Sequence, residues 1–90
     1  MIKSAIFDAV KLNSEGVSVY VLQTVLRLLG FLGADSKPLS VDGVSGENTV
    51  FAINTFQSTM RAYGYEVGTN GENDGVFGDK CWQCLLGGDF

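Results

Sequence analysis

The tightest constraint on this chain is a five-residue phrase stated twice, Asp42-Gly43-Val44-Ser45-Gly46 and Asp74-Gly75-Val76-Phe77-Gly78. Each copy runs at once into a stretch of helical patterning. Each is also preceded, inside another such stretch, by an apolar residue and a glutamine: Leu22-Gln23 and Phe56-Gln57. The repeating unit is helix, loop and glycine corner, and one such unit cannot bury its own apolar face, so two are expected to pack on each other. Within the phrase a glycine takes positive φ without steric cost, the aspartate accepts hydrogen bonds from nearby amides, and the valine is expected to plug the core. A buried glutamine amide left without partners costs ~1–3 kcal/mol, so Gln23 and Gln57 are expected to reach these corners. Gln23, Asp42, Gly43, Gly46, Gln57, Asp74, Gly75 and Gly78 are therefore read as scaffold.

Three helices follow from periodicity. The first is expected over 17–29, with Val19, Leu22, Leu26 and Leu29 on one face, Ser14 or a neighbour as cap and Gly30 as terminator. The second is expected over 47–63, with Val50, Ile53, Phe56 and Met60 as the buried stripe and Gly64 closing it. The third is short, about 79–86, with Trp82, Leu85 and Leu86 inward and Asp79 complementing the helix dipole. Residues 1–13 carry Ile2, Ile6, Phe7, Val10 and Leu12 without clean periodicity, which predicts a short helix or an extended arm against a domain over 14–90. The two loops, 31–41 with the only proline, Pro38, and 65–73 with Gly68 and Gly71, are long for so small a domain.

At 90 residues the chain holds one domain, and six basic against ten acidic residues give a net charge of −4. That charge opposes phosphate backbones and anionic lipid surfaces, which excludes nucleic acid and membrane as favoured partners. No stretch approaches the ~18 apolar residues of a membrane span, and the run from Met1 to Phe7 reaches Asp8 before a signal-peptide core could form. The expectation is synthesis in the cytoplasm, followed by release through lysis, delivery by a particle or travel within a larger assembly.

In order along the chain stand Gly16-x-x-Val19-x-x-Leu22-Gln23, Leu29-Gly30-Phe31, Asp42-Gly43-Val44-x-Gly46-x-x-Thr49, Phe56-Gln57 and Asp74-Gly75-Val76-Phe77-Gly78-x-Lys80-x-Trp82-x-x-Leu85. This succession, over residues 14–87, closely resembles the type 1 peptidoglycan-binding domain. Against the family pattern, Ser45 stands where an aromatic is frequent, Glu47 and Asp79 where proline is, and Cys81 where threonine is common; the loop Asp35 to Leu39 is longer. The resemblance implies an all-α, compact three-helix orthogonal bundle with an internal repeat. It also implies binding of bacterial wall glycan or stem peptide, in company with a wall hydrolase, a phage lysis protein or a virion component.

The aromatics Tyr63, Tyr65, Phe77 and Trp82 cluster around the second glycine corner, and aromatic faces suit sugar rings and peptide backbones. With Asn54, Arg61, Asn70 and Asn73 as hydrogen-bonding neighbours, they form the candidate wall contact, although Trp82 at the family's tryptophan position also reads as core. Cys81-Trp82-Gln83-Cys84 forms C-x-x-C, but the chain has no histidine and no further cysteine to complete a zinc site. Two ordinary small residues, with Cys84 buried, are the expectation. Asn70-x-Glu72-x-Asp74-Gly75 imitates half a calcium loop, yet Cys81 stands where a bidentate glutamate is needed. There is no G-x-S-x-G, and no carboxylate pair is placed across a cleft as glycoside cleavage demands. The sequence therefore predicts a binding module with no catalytic residues, metal or cofactor; a structural or protein-interaction component reusing the same fold is the alternative.

Overall fold

The computed structural model describes residues 7–87. Within them α1 spans Val17–Leu28, α2 Glu47–Ala62 and α3 Asp79–Leu85, and strand pairing is limited to isolated bridges, so the fold is all-α. The radius of gyration, 11.8 Å, matches the ~12 Å of a packed domain this size.

In α1 the buried face is Val19, Leu22, Gln23 and Leu26; in α2 it is Thr49, Ala52, Ile53, Phe56 and Gln57. These are i, i+3, i+4, i+7 stripes, each with one glutamine set among apolar neighbours. Both helices end in the same way. The Gly30 N–H donates to Arg27 O and the Phe31 N–H to Leu26 O; the Gly64 N–H donates to Arg61 O and the Tyr65 N–H to Met60 O. These are paired Schellman closures, and they place Phe31 and Tyr65 against the last turns of their helices. Leu29, expected on the buried face, is instead the C-cap of α1 and is exposed. Leu86 is exposed for the same reason at the end of α3, where Leu85 is half-buried.

Glycine precedes each helix, at Gly16, Gly46 and Gly78, and no side chain caps any of the three. Ser14 does not cap α1; its hydroxyl accepts the Lys11 N–H at 3.0 Å. Glu47 and Asp79 sit in the first turns of α2 and α3, where a negative charge complements the helix dipole.

The core runs through a file of aromatic rings. Phe7 stacks on Trp82 with centroids 4.6 Å apart, Trp82 meets Phe77 edge-on at 4.9 Å, Phe77 meets Phe56 at 5.1 Å, and Phe56 meets Phe31 at 5.7 Å. Each contact of this kind adds ~0.5–1.5 kcal/mol beyond area burial. Val10, Leu22, Leu26, Leu39, Ile53 and Val67 close around the file.

Ahead of α1 the described segment is an arm rather than a helix, without helical structure over 7–10 and closing in a turn over 11–14, where the Ser14 N–H donates to Lys11 O; the remainder of that expectation, residues 1–6, lies outside the described residues. Val10 exchanges two backbone hydrogen bonds with Phe77, at 3.1 and 2.7 Å. Further along, the Asn13 N–H donates to Ser45 O at 2.7 Å and the Ser45 N–H to Ser14 O at 2.8 Å. The indole N–H of Trp82 donates to Asp8 O at 3.0 Å. From Val10 to Ser14 the chain can span at most ~14 Å, so this one strip holds both glycine corners close together.

Candidate functional site

The two corners are built from like parts. Gln23 lies in the buried stripe of α1, so its amide must be satisfied internally, and the 42–46 turn does this. Its Nε2 donates to Asp42 Oδ1 at 3.1 Å, Val44 O at 2.9 Å and Thr49 Oγ1 at 3.0 Å, while its Oε1 accepts the N–H groups of Asp42 and Gly43. Gln57 on α2 repeats the pattern. Its Nε2 donates to Asp74 Oδ1 at 2.8 Å, Val76 O at 3.0 Å and Cys81 Sγ at 3.5 Å, and its Oε1 accepts the Asp74 N–H. Two amide hydrogens serve three acceptors at each corner, so one contact of each set is shared. The aspartates close the turns on themselves: Asp42 Oδ1 accepts the Val44 N–H and Asp74 Oδ1 the Val76 N–H, both at 3.0 Å.

Gly43 requires its residue type twice over. Its φ is +78°, and a Cβ there would lie 2.4 Å from the Tyr20 ring. The valines do not plug the core. Val44 is exposed and Val76 half-buried; the next residue in each phrase, Ser45 or Phe77, points inward. The turn's hydrogen bonds to the arm decide this, because pairing Ser45 with Ser14 and Phe77 with Val10 fixes which side faces the interior.

The carboxyls at both corners titrate below the ordinary value of 3.8. For Asp42 the backbone N–H of Val44 is the main cause, with the Gln23 amide second. For Asp74 burial pushes upward, but hydrogen bonds from Thr69, Gln57 and the Val76 N–H outweigh it. Both are held as anions and used up in holding the turn.

The candidate contact residues separate into three groups. Phe77 and Trp82 present no face to a ligand: both are wholly buried in the aromatic file, which removes Phe77 from the expected contact and leaves Trp82 with the core role also expected for it. Tyr65 and Arg61 come together in a cleft of about 450 Å³ between the end of α2 and the 64–71 loop, with Asn70, Glu66, Val67, Lys80 and the backbone of Gly64, Gly68 and Gly71. Arg61 is pinned there, donating through one terminal nitrogen to Val67 O at 3.1 Å and through the other to Asn73 Oδ1 at 2.6 Å. Asn73 thus reaches the cleft only through Arg61, and its own amide donates to Ser58 Oγ. Tyr63 is largely exposed and lies outside the cleft, while Asn54 is half-buried on α2, its Oδ1 buried without a hydrogen-bond partner.

Lys80 and Glu66, which sequence reasoning did not place at the site, pair across the cleft rim at 3.5 Å. The signal for Lys80 was available: it is one of six basic residues and stands two positions after Gly78, inside the motif. A second cleft, about 380 Å³, lies at the first corner and is lined by Ser40, Asp42, Asp35, Glu47 and Asn48, so it is acidic where the cleft of Arg61 and Lys80 carries two cations.

Cys81 rather than Cys84 is the buried member of the C-x-x-C pair, and burial raises both thiols above their usual value, the opposite of a reactive thiolate. The pair sits on a seven-residue helix with the Gln57 amide against Cys81. In the 70–75 loop, Asp74 gives one carboxylate oxygen to Gln57 and Val76 and the other to Thr69, so both oxygens are engaged in holding the turn. Among the described residues no helix is long and apolar enough to cross a membrane. Compared with protein-family models, with curated proteins and with solved structures, the chain matches none.

Proposed function

We propose that this chain is a non-catalytic peptidoglycan-binding module of the type 1 family, which holds a wall-cleaving or virion assembly against the bacterial envelope. The observation that carries the reading is the doubled corner: two D-G-V-x-G turns, each locked by a buried glutamine from the preceding helix and each feeding the next helix. Such a lock needs glutamine, aspartate and glycine at separated positions, and the family motif sets those types at those positions. On this reading the fold is an orthogonal bundle with an internal repeat, Thr49 and Cys81 being equivalent acceptors for the two glutamines.

The two corner aspartates do not suit acid catalysis. A general acid for glycoside cleavage needs its pKa raised; Asp42 and Asp74 are lowered and engaged with the turn. The contact surface on this reading is the cleft of Arg61, Tyr65 and Lys80. Tethering there raises the effective concentration of an attached enzyme at its substrate without new chemistry. The test is co-sedimentation with purified sacculi: the protein pellets with them, and recovery in the supernatant while a known wall binder pellets would sink the reading.

One observation favours a second reading, a protein-interaction or structural component. Leu32 and Phe51 are exposed and share an apolar groove of about 360 Å³ with Phe31 and Thr55. Co-purification in a stoichiometric assembly, with Phe51→Ser releasing the partner, is the outcome that selects it.

A further inference from the structure

We infer that the cleft at the end of α2 is a carboxylate-recognition site, and that its ligand is a short peptide bearing a free carboxylate rather than a sugar chain. The inference deepens the wall-binding proposal and rests on it for one point only, the source of the peptide.

The protein is acidic, with a net charge of −4, yet two of its six basic residues, Arg61 and Lys80, line this one cleft. Arg61 is held by two neutral acceptors, Val67 O and Asn73 Oδ1, so its charge is fixed in place and not cancelled by them. A guanidinium has five N–H donors, and two are engaged. A carboxylate entering the cleft meets a charged donor already oriented, the arrangement that loses least freedom on binding.

Lys80 supplies the second cation from another element, the first turn of α3. Its present partner, Glu66, is 3.5 Å away, and both side chains are mostly exposed, at 69% and 90%. An exposed pair of this kind is weak, so a ligand carboxylate can take the place of Glu66 at small cost.

Size and shape restrict the ligand further. A volume of about 450 Å³ suits a few residues of peptide and no more. At Gly64 and Gly71 nothing lies within 4 Å of where a Cβ would stand, so a ligand can approach the backbone itself. The acidic field of the whole molecule repels polyanions, which leaves a single compact anion as the ligand that the cleft attracts and the protein does not exclude.

The aromatic inventory argues against sugar as the main contact. Stacking a glycan takes exposed ring faces, but Phe77 and Trp82 are sealed in the core and Tyr63 does not line the cleft. Tyr65 is the one aromatic of the lining, enough for an apolar side chain beside the carboxylate.

The experiment uses the whole chain, labelled with ¹⁵N and titrated with three probes. These are a disaccharide tripeptide released from sacculi by muramidase, the same fragment with its carboxylates converted to amides, and the peptide-free disaccharide. The free-carboxylate fragment is expected to move the resonances of Arg61, the 64–71 loop and Lys80. Amidation lowers its affinity about tenfold or more, and the bare disaccharide binds no better than the amide. Lys80→Gln weakens the free fragment about three- to fivefold without changing Tm. Equal affinity for free and amidated fragments, shifts confined to other residues, an unaltered affinity in Lys80→Gln, or displacement by equimolar inorganic phosphate would each overturn the assignment.

Two added arms separate this inference from the wall reading. Pelleting with amidated sacculi as readily as with untreated ones leaves wall binding standing and removes the carboxylate site. Failure to pellet, together with binding of an acetylated L-dipeptide at the same residues, keeps the carboxylate site, assigns it to a protein C-terminus and removes the wall reading.

Discussion

At the residue scale the fold is governed by two buried amides. Replacing Gln57 by Leu would leave the Asp74 N–H without its acceptor and would take the amide donor away from Val76 O and Asp74 Oδ1, the latter keeping only the Val76 N–H; a loss of about 2–4 kcal/mol is expected by denaturant unfolding. The corner around Gln57 also contains its own improvement. Gln23 meets a hydroxyl oxygen at 3.0 Å in Thr49, whereas Gln57 meets a sulfur at 3.5 Å in Cys81. Cys81→Thr is expected to strengthen that contact and stabilise the protein by up to ~1 kcal/mol, read as an increased denaturation midpoint. The aspartates add a pH dependence. With Asp42 and Asp74 titrating below 3.8, the folded state holds fewer protons than the unfolded one just beneath that value. Their contribution is therefore complete above the ordinary carboxylate range and disappears as pH falls through the lower folded-state values. Urea midpoints measured from pH 6 down to pH 2.5 should fall more gently for Asp42→Asn/Asp74→Asn than for the unaltered chain.

At the element scale the arm is as much a part of the core as the helices. Val10 is fully buried, it pairs with Phe77, and Phe7 lies on Trp82. A terminal segment held only by its own backbone would fray. Here the amides of Val10, Asn13, Ser45 and Phe77 are expected to exchange with solvent as slowly as those of Leu22 and Phe56. Hydrogen exchange followed by NMR checks this, and fast exchange at Val10 and Phe77 alone would detach the arm from the cooperative unit.

At the scale of the whole molecule, the aromatic file joins arm, α2 and α3 into one core, with Trp82 near its end. Since Trp82 is buried and the cleft is lined by other residues, ligand binding should leave its fluorescence maximum in place, while unfolding should shift it to the red. A shift of Trp82 emission on titration with wall fragments, at constant Tm, would place the contact somewhere other than the cleft.

Much of this was legible along the chain. The helix limits follow from 3.6-residue spacing and glycine stops, which are local properties, and the glutamine contacts follow from the impossibility of burying an amide alone. The side on which each corner turns its residues was not legible. Val44 and Ser45 are neighbours, and only pairing with the arm, about thirty positions away, decides that the serine is buried and the valine faces solvent. The same holds for the cleft: Arg61 and Lys80 belong to different helices, and their shared cleft is set by how those helices pack. Spacing along one chain determined the elements and the polar partners they need, because those depend on neighbours within a few turns. Accessibility of Phe77 and Trp82, and the meeting of two cations in one cleft, were decided by packing, because burial depends on what the rest of the chain places in front.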